Sequence, residues 1–187
     1  MNSVSIFFKG QQLDRQPQSP ELAAMPYDLE TNLHPTTKAF VEEGWSGKWT
    51  LEKASARKAS EGTHRILPSS QNVPKRTFAE WEDYFKDLEG LIWDAKVCSP
   101  SLRCCSRATD NVHQMEMHDY TCDVRQRRTV CWSSLSATTP VGPYANEYVW
   151  FLTFNEDGTK ITSVTEFMDG KQADNLRARL READFHR

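Results

Sequence analysis

The sequence predicts an α+β domain in which a curved antiparallel sheet wraps around N-terminal helices, a cone-shaped barrel with an internal pocket. Three observations predict it. Helical patterns fill the first half of the ordered stretch, while Met115 to Asp169 reads as strands. Phe78, Trp81, Phe85, Leu88 and Ile92 recur at spacings of three and four and form one apolar stripe. Asp157-Gly158 sits between two apolar runs, a hairpin signal because glycine accepts a positive φ.

Residues 1–35 carry Pro17, Pro20, Pro26 and Pro35 among Gln, Ser and Asp, without periodicity, and are expected to form an arm with no core of its own. Thr36 to Glu43 and Thr50 to Ala59 are expected to be helices, closed by Gly44 and Gly62. Thr63 to Leu67 reads as a short strand stopped by Pro68. Thr77-Phe78-Ala79-Glu80 is a capping-box pattern and opens a helix expected to stop at Gly90. Strands follow over Met115 to Asp123, Thr129 to Thr138, Tyr144 to Phe154 and Ile161 to Met168, with a charged turn at Arg125 to Arg128. Lys171 to Ala183 reads as a last helix capped by Asp169, with Arg177 and Arg179 on its solvated face. The expected organisation is an arm over 1–35, a domain over 36–170 and a C-terminal helix over 171–187.

A length of 187 residues fits one domain. Lys+Arg total 23 and Asp+Glu 26, a net charge of -3, so a nucleic-acid partner is not expected. No apolar run reaches the roughly 20 residues of a spanning helix, and Ile6-Phe7-Phe8 is too short for a secretory core, so a cytoplasmic location away from membranes is the expectation. Five cysteines, an odd number without a CxxC pair, argue for free thiols rather than a disulfide framework or a zinc site. There is no GxGxxG, no P-loop and no Gly-x-Ser-x-Gly elbow.

Pro140 to Phe151, Glu156-Asp157-Gly158-Thr159-Lys160-Ile161 and Glu166-Phe167-Met168-Asp169, together with Trp49, Thr63 to Pro68 and Met117-His118-Asp119, resemble fungal SnoaL-like proteins of the nuclear transport factor 2-like superfamily. The resemblance covers about Phe40 to Asp169. It implies a cone of helices against a curved sheet, and relatives that are cofactor-free isomerases, dehydratases and polyketide or terpenoid cyclases of secondary metabolism. Other relatives bind ligands or partners without chemistry, and dimers are common among them, so a homodimer is one expectation.

Residues Val97 to Gln114 interrupt the resemblance. Joining Lys96 to Met115 gives the continuous text the family would show. Two readings stay open: a loop insertion, and a translated intron. Val97-Cys98 can be encoded by GTATGT, Thr109-Asp110 by ACTGAC and Gln114 by CAG, and the frame is preserved. Transcript sequencing across the stretch separates them.

Cofactor-free proton transfer needs an acid and a base around the substrate, and an apolar pocket shifts their pKa values toward neutrality. His64 lies mid-strand and is either a pocket group or a core or edge histidine. Strand alternation puts Glu116, His118 and Tyr120 on one face, away from Met115 and Met117. Glu147 lies in a strand apolar on both faces, as pocket acid or as buried anchor. Glu166 lies on the antiparallel partner strand, so the two glutamates are expected to approach each other. The candidate acid and base groups are His64, His118, Glu147 and Glu166. The candidate substrate-binding walls are Trp49, Tyr84, Phe85, Asn146 and Tyr148. No metal site and no cofactor are expected, and the substrate would be a hydrophobic small molecule. A catalytic site would gather a histidine and a carboxylate in an apolar cavity. A non-catalytic binding or dimerisation module would pair them with each other or turn them to solvent, and a gene product damaged by the interruption would keep the fold alone.

Overall fold

A computed structural model describes residues 29–47, 50–92, 114–139 and 141–183. The elements run α1 (Leu29–Lys38), a π-helical turn (Ala39–Glu43), α2 (Leu51–Ser55), β1 (Lys58–Leu67), β2 (Arg76–Thr77), α3 (Phe78–Ile92), β3 (Gln114–Asp123), β4 (Arg128–Thr139), β5 (Gly142–Phe154), β6 (Ile161–Met168) and α4 (Gly170–Glu182). The six strands form one sheet in the order β2-β1-β6-β5-β4-β3. Every pairing is antiparallel except β1 with β6, which is parallel. The chain therefore has to cross from β1 over the helical layer before β6 returns beside it.

β4, β5 from Tyr144 onward, and β6 from Val164 onward alternate between buried and more exposed residues, so one face of the sheet is core and the other is solvated. The inner face of Cys131, Leu135, Trp150, Leu152, Val164 and Ile66 packs against Leu33, Phe40, Trp45, Phe78 and Trp81 of the helical layer. Aromatic rings dominate the contact: Phe40 meets Trp150 edge-on at 5.5 Å, and Trp81 stacks on Phe85 at 4.2 Å. Such pairs contribute about 0.5–1.5 kcal/mol each beyond their buried area.

Several expectations shift. Helix α1 starts at Leu29, within the stretch expected to be an arm, and buries Leu29 and Leu33; the rest of that stretch, 1–28, lies outside the described residues. The turn at Gly158 explains the burial. Gly158 has φ +75, and a Cβ there would meet Asn32, Leu33 and Leu29, so the β5–β6 turn presses its backbone onto α1. Asn32 Nδ2 also donates to the Asp157 carbonyl at 2.8 Å. The expected helix over Thr50 to Ala59 stops at Ser55, because Lys58 pairs with Ile161 and opens a strand longer than expected. The capping box forms: Glu80 N donates to Thr77 Oγ1 at 3.2 Å, and Thr77 N donates to Glu80 Oε2 at 2.7 Å. The helix it opens runs through Gly90 to Ile92 rather than stopping there.

The edge strand β3 is covered by the π-helical turn and the residues just after it. Ser46 Oγ accepts from Met115 N at 3.0 Å and Glu42 Oε1 accepts from Met117 N at 3.3 Å. Asp169 caps α4 by accepting from Lys171 N at 2.9 Å. Arg177 and Arg179 are not a solvated face. Arg177 bonds Gln71 Oε1, and Arg179 Nη1 donates to the Val141 and Pro143 carbonyls at 3.1 and 3.0 Å, which tie α4 to the sheet. No helix among the described residues is long and apolar enough to cross a membrane. The interruption at 97–114 lies outside the described residues except for Gln114, which begins β3.

Candidate active site

The β1–β6 register sets His64 beside Val164 and Ile66 beside Glu166. His64 and Ile66 share a face, as do Val164 and Glu166, and both faces point inward. His64 and Glu166 thus meet diagonally across neighbouring strands, with His64 Nε2 3.0 Å from Glu166 Oε2. His64 is 1% and Glu166 3% exposed, which makes this a dry pair. Burial pushes the Glu166 carboxyl up to about 8. Burial first, then the Lys58 and Arg76 charges, hold the His64 imidazole well below its ordinary value. Both groups are therefore neutral near pH 7, and the bond that fits is Glu166 O–H donating to His64 Nε2. The imidazole proton then lies on Nδ1, which is buried and has no hydrogen-bond partner.

Trp81 lies against the pair, stacked on the His64 ring at 5.0 Å between centroids. Its Nε1 is also buried without a partner. Lys58 contributes a third such atom: its Nζ is buried, unpartnered and 3.0 Å from the Trp81 ring centroid. Burial lowers Lys58 to about 7 against the opposing pull of Glu82 and Glu166. Three unpartnered buried nitrogens around one indole, each costing about 1–3 kcal/mol, are an arrangement that a bound polar group would relieve. Lys58 was not among the candidates, because its neighbourhood reads as a helix of strong helix formers. No local signal marks it, because the β1–β6 register shift at which it sits is set between strands.

A second polar group lies nearby on β5. Tyr144 and Tyr148 hydroxyls are 3.3 Å apart, and Asn146 Nδ2 donates to Tyr144 Oη at 2.6 Å. Asn146 also accepts from Asp169 N at 3.1 Å, so it joins the sheet to the start of α4. Tyr148 stacks on Trp150, and burial pushes its hydroxyl well above the ordinary tyrosine value. Asn146 and Tyr148 are thus buried on the inner face, as expected of walls. Phe85 is half-buried against Trp81, and Tyr84 is half-buried beneath the Arg76 guanidinium. Trp49 lies outside the described residues.

Glu147 and His118 are not part of this interior. Glu147 alternates with the buried Asn146 and Tyr148 and is exposed on the outer face. Glu166 pairs with Trp150, three positions along from Glu147, so the parity of the ladder puts the two glutamates on opposite faces. His118 is exposed, 2.7 Å from Ser134 Oγ, with its ring against Trp132. It is the extra residue of a bulge, since Met117 pairs with Ser133 and Asp119 with the adjacent Trp132. The bulge reverses the alternation, so Tyr120 faces Cys131 and not the His118 side. An open depression of about 380 Å³, lined by Ala39, Glu43, Gly44, Ser46, Lys53, Ala56 and Arg57, is separate from the His64–Glu166 pair.

No family model matches the sequence. The chain is 32% identical over 134 residues to the monooxygenase nsrQ of Aspergillus novofumigatus, covering 72% of this chain and 76% of that protein. Among solved structures, PrhC of Penicillium brasilianum superposes with a TM-score of 0.66 at 17% identity, over 84% of this chain and 93% of that one. BvnE pinacolase of Penicillium brevicompactum superposes with a TM-score of 0.65 at 19% identity, over 86% and 99%. A SnoaL-like polyketide cyclase of Jannaschia superposes with a TM-score of 0.55 at 12% identity, over 86% and 95%. The chain belongs to the family of fungal proteins that includes nsrQ, and its curved open sheet laid on helices has the SnoaL-like fold.

Proposed function

We propose that the protein is an isomerase, cyclase or dehydratase that moves protons on a hydrophobic polyketide or terpenoid intermediate of fungal secondary metabolism. The observation that carries the reading is the dry His64–Glu166 pair with an imidazole nitrogen left unpartnered. A protonated Glu166 feeding His64 Nε2 makes Nδ1–H an acid toward a substrate carbonyl. As Nδ1 gives its proton to the oxygen, Nε2 takes the Glu166 proton, and the pair is left with one charge on a carboxylate. Water exclusion keeps this relay from leaking. The pairing by itself is the arrangement expected of a non-catalytic module; what favours catalysis is the buried Nδ1, which a structural pair would have satisfied within the protein. Comparing metabolites of strains with and without the gene, then supplying the accumulated intermediate to the purified protein, tests the reading. Turnover of that intermediate without other enzymes is expected; a purified protein that leaves it unchanged refutes the reading.

Kinship with the monooxygenase nsrQ favours a second reading, oxygenation of the same substrate class. Removal of a proton to give a substrate carbanion serves either outcome. Label from ¹⁸O₂ in the product selects oxygenation, and its absence selects isomerisation or cyclisation.

The proposed macromolecular partner is a second copy of the chain. Trp132, Phe151 and Phe167 are 44%, 47% and 45% exposed on the outer face of neighbouring strands, next to Val149. Large apolar groups clustered this way on one surface favour a protein contact over solvent.

A further inference from the structure

Lys58 stands where the β1–β6 register shifts, with Lys58 opposite Ile161 and Thr63 opposite Ser163. Five residues of β1 answer two of β6, and Lys58 ends up 6% exposed. Its Nζ lies 3.0 Å from the Trp81 ring centroid and 5.2 Å from that of Phe78, with no hydrogen-bond partner. An aromatic face offsets part of the cost of a buried cation but accepts none of its N–H bonds in the way an oxygen does. The charged groups acting on the amine are Glu82 of α3 and Glu166 of β6, and neither bonds it. With Glu166 held neutral by burial, the carboxylate left acting on the amine is Glu82, and it makes no hydrogen bond to Nζ.

We infer that Lys58 is a base and counter-ion of this interior: its amine takes the proton of an enolic or phenolic hydroxyl on the ligand, and the resulting ammonium holds the oxyanion. The O–H bond breaks with its electron pair left on oxygen, an N–H bond forms on Nζ, and no other reactant is consumed. The ion pair adds no net charge to the dry interior, which makes a weakly acidic hydroxyl a better fit than a neutral ether. Burial lowers Lys58 to about 7, so the amine can accept this proton near neutral pH. The inference rests on reading the interior as a ligand site.

The test uses the full chain with 4-nitrophenol and its neutral analogue 4-nitroanisole, in mildly acidic buffer where most free phenol is un-ionised. Wild type is expected to bind both, and binding of the phenol brings up the yellow phenolate absorbance. Lys58→Met, which replaces a buried amine with an apolar chain of similar reach and whose fold is checked by near-UV circular dichroism, is expected to bind 4-nitrophenol at least ~10-fold more weakly and without phenolate, with 4-nitroanisole binding unchanged. Glu166→Gln is expected to keep the phenolate signal. Binding of 4-nitrophenol only in its neutral form, a phenolate signal that survives Lys58→Met, or its loss in Glu166→Gln alone overturns the inference while leaving the ligand site in place. Failure of wild type to bind either compound removes the ligand site itself, and the inference with it.

Discussion

His64 and Glu166, 102 residues apart in the chain, meet at 3.0 Å in a setting almost closed to water. In the proposed mechanism these two neutral groups, joined by one proton and with Nδ1 left without a partner, act as a relay rather than a salt bridge. Glu166→Gln breaks the relay but keeps the shape, and His64→Gln removes the imidazole. Each is expected to lower turnover of the native substrate by about 10²–10⁴-fold, measured as kcat at saturating substrate.

The outer-face groups serve as the matched control. Glu147→Gln and His118→Gln are expected to leave turnover unchanged, and stability within about 0.5 kcal/mol, in the same assay and in urea titrations. A loss of turnover in Glu147→Gln comparable to that of Glu166→Gln would contradict the assignment of faces.

The raised Glu166 pKa links stability to pH. Between 4.5, its ordinary value, and about 8, the folded protein keeps a proton that the unfolded chain has released, so this group's contribution to stability falls as pH rises. Lys58 acts in the opposite sense between about 7 and 10.5, where the unfolded chain holds the proton. Glu166→Gln removes only the first effect. Relative to wild type, its urea midpoint is therefore expected to improve on going from about pH 5 to about pH 8. A difference that stays constant across that window would mean Glu166 is ionised in the folded state.

Gly62 lets α3 seat on β1. A Cβ there would fall onto the Phe78 ring and the Thr162 carbonyl. Gly62→Ala is expected to cost about 1–3 kcal/mol in urea unfolding, as overpacking does elsewhere. Because Phe78 and Trp81 both flank Lys58, the variant should also weaken 4-nitroanisole binding.

Phe151 is nearly half exposed between Val130 on β4 and Thr165 on β6, in the middle of the outer apolar patch. Phe151→Glu is expected to convert a dimer to a monomer in sedimentation velocity while leaving the monomer folded. A wild type that sediments as a monomer at every concentration would dismiss the second copy as partner.

Local patterns in the chain carried most of the architecture. Thr77 and Glu80 announce the start of α3, because capping involves groups three residues apart. Ile161 to Met168 is bounded by a turn and a cap, and it is a strand with those limits. Alternation along β5 correctly separates Asn146 and Tyr148 from Glu147. What the chain could not announce is which of two alternating faces is buried in a strand apolar on both. Only the pairing of β5 with β6 and the seat of the helices on one side decide that Glu166 is inside and Glu147 outside. The His118 bulge and the register shift after Lys58 are likewise set between strands, not within them. Amino-acid order thus determined the elements, the fold and the shortlist of ionisable groups. Tertiary packing chose from that shortlist and added Lys58, because desolvation depends on what covers a side chain and neighbours in space, unlike neighbours in sequence, exist only after the sheet has closed over its helices.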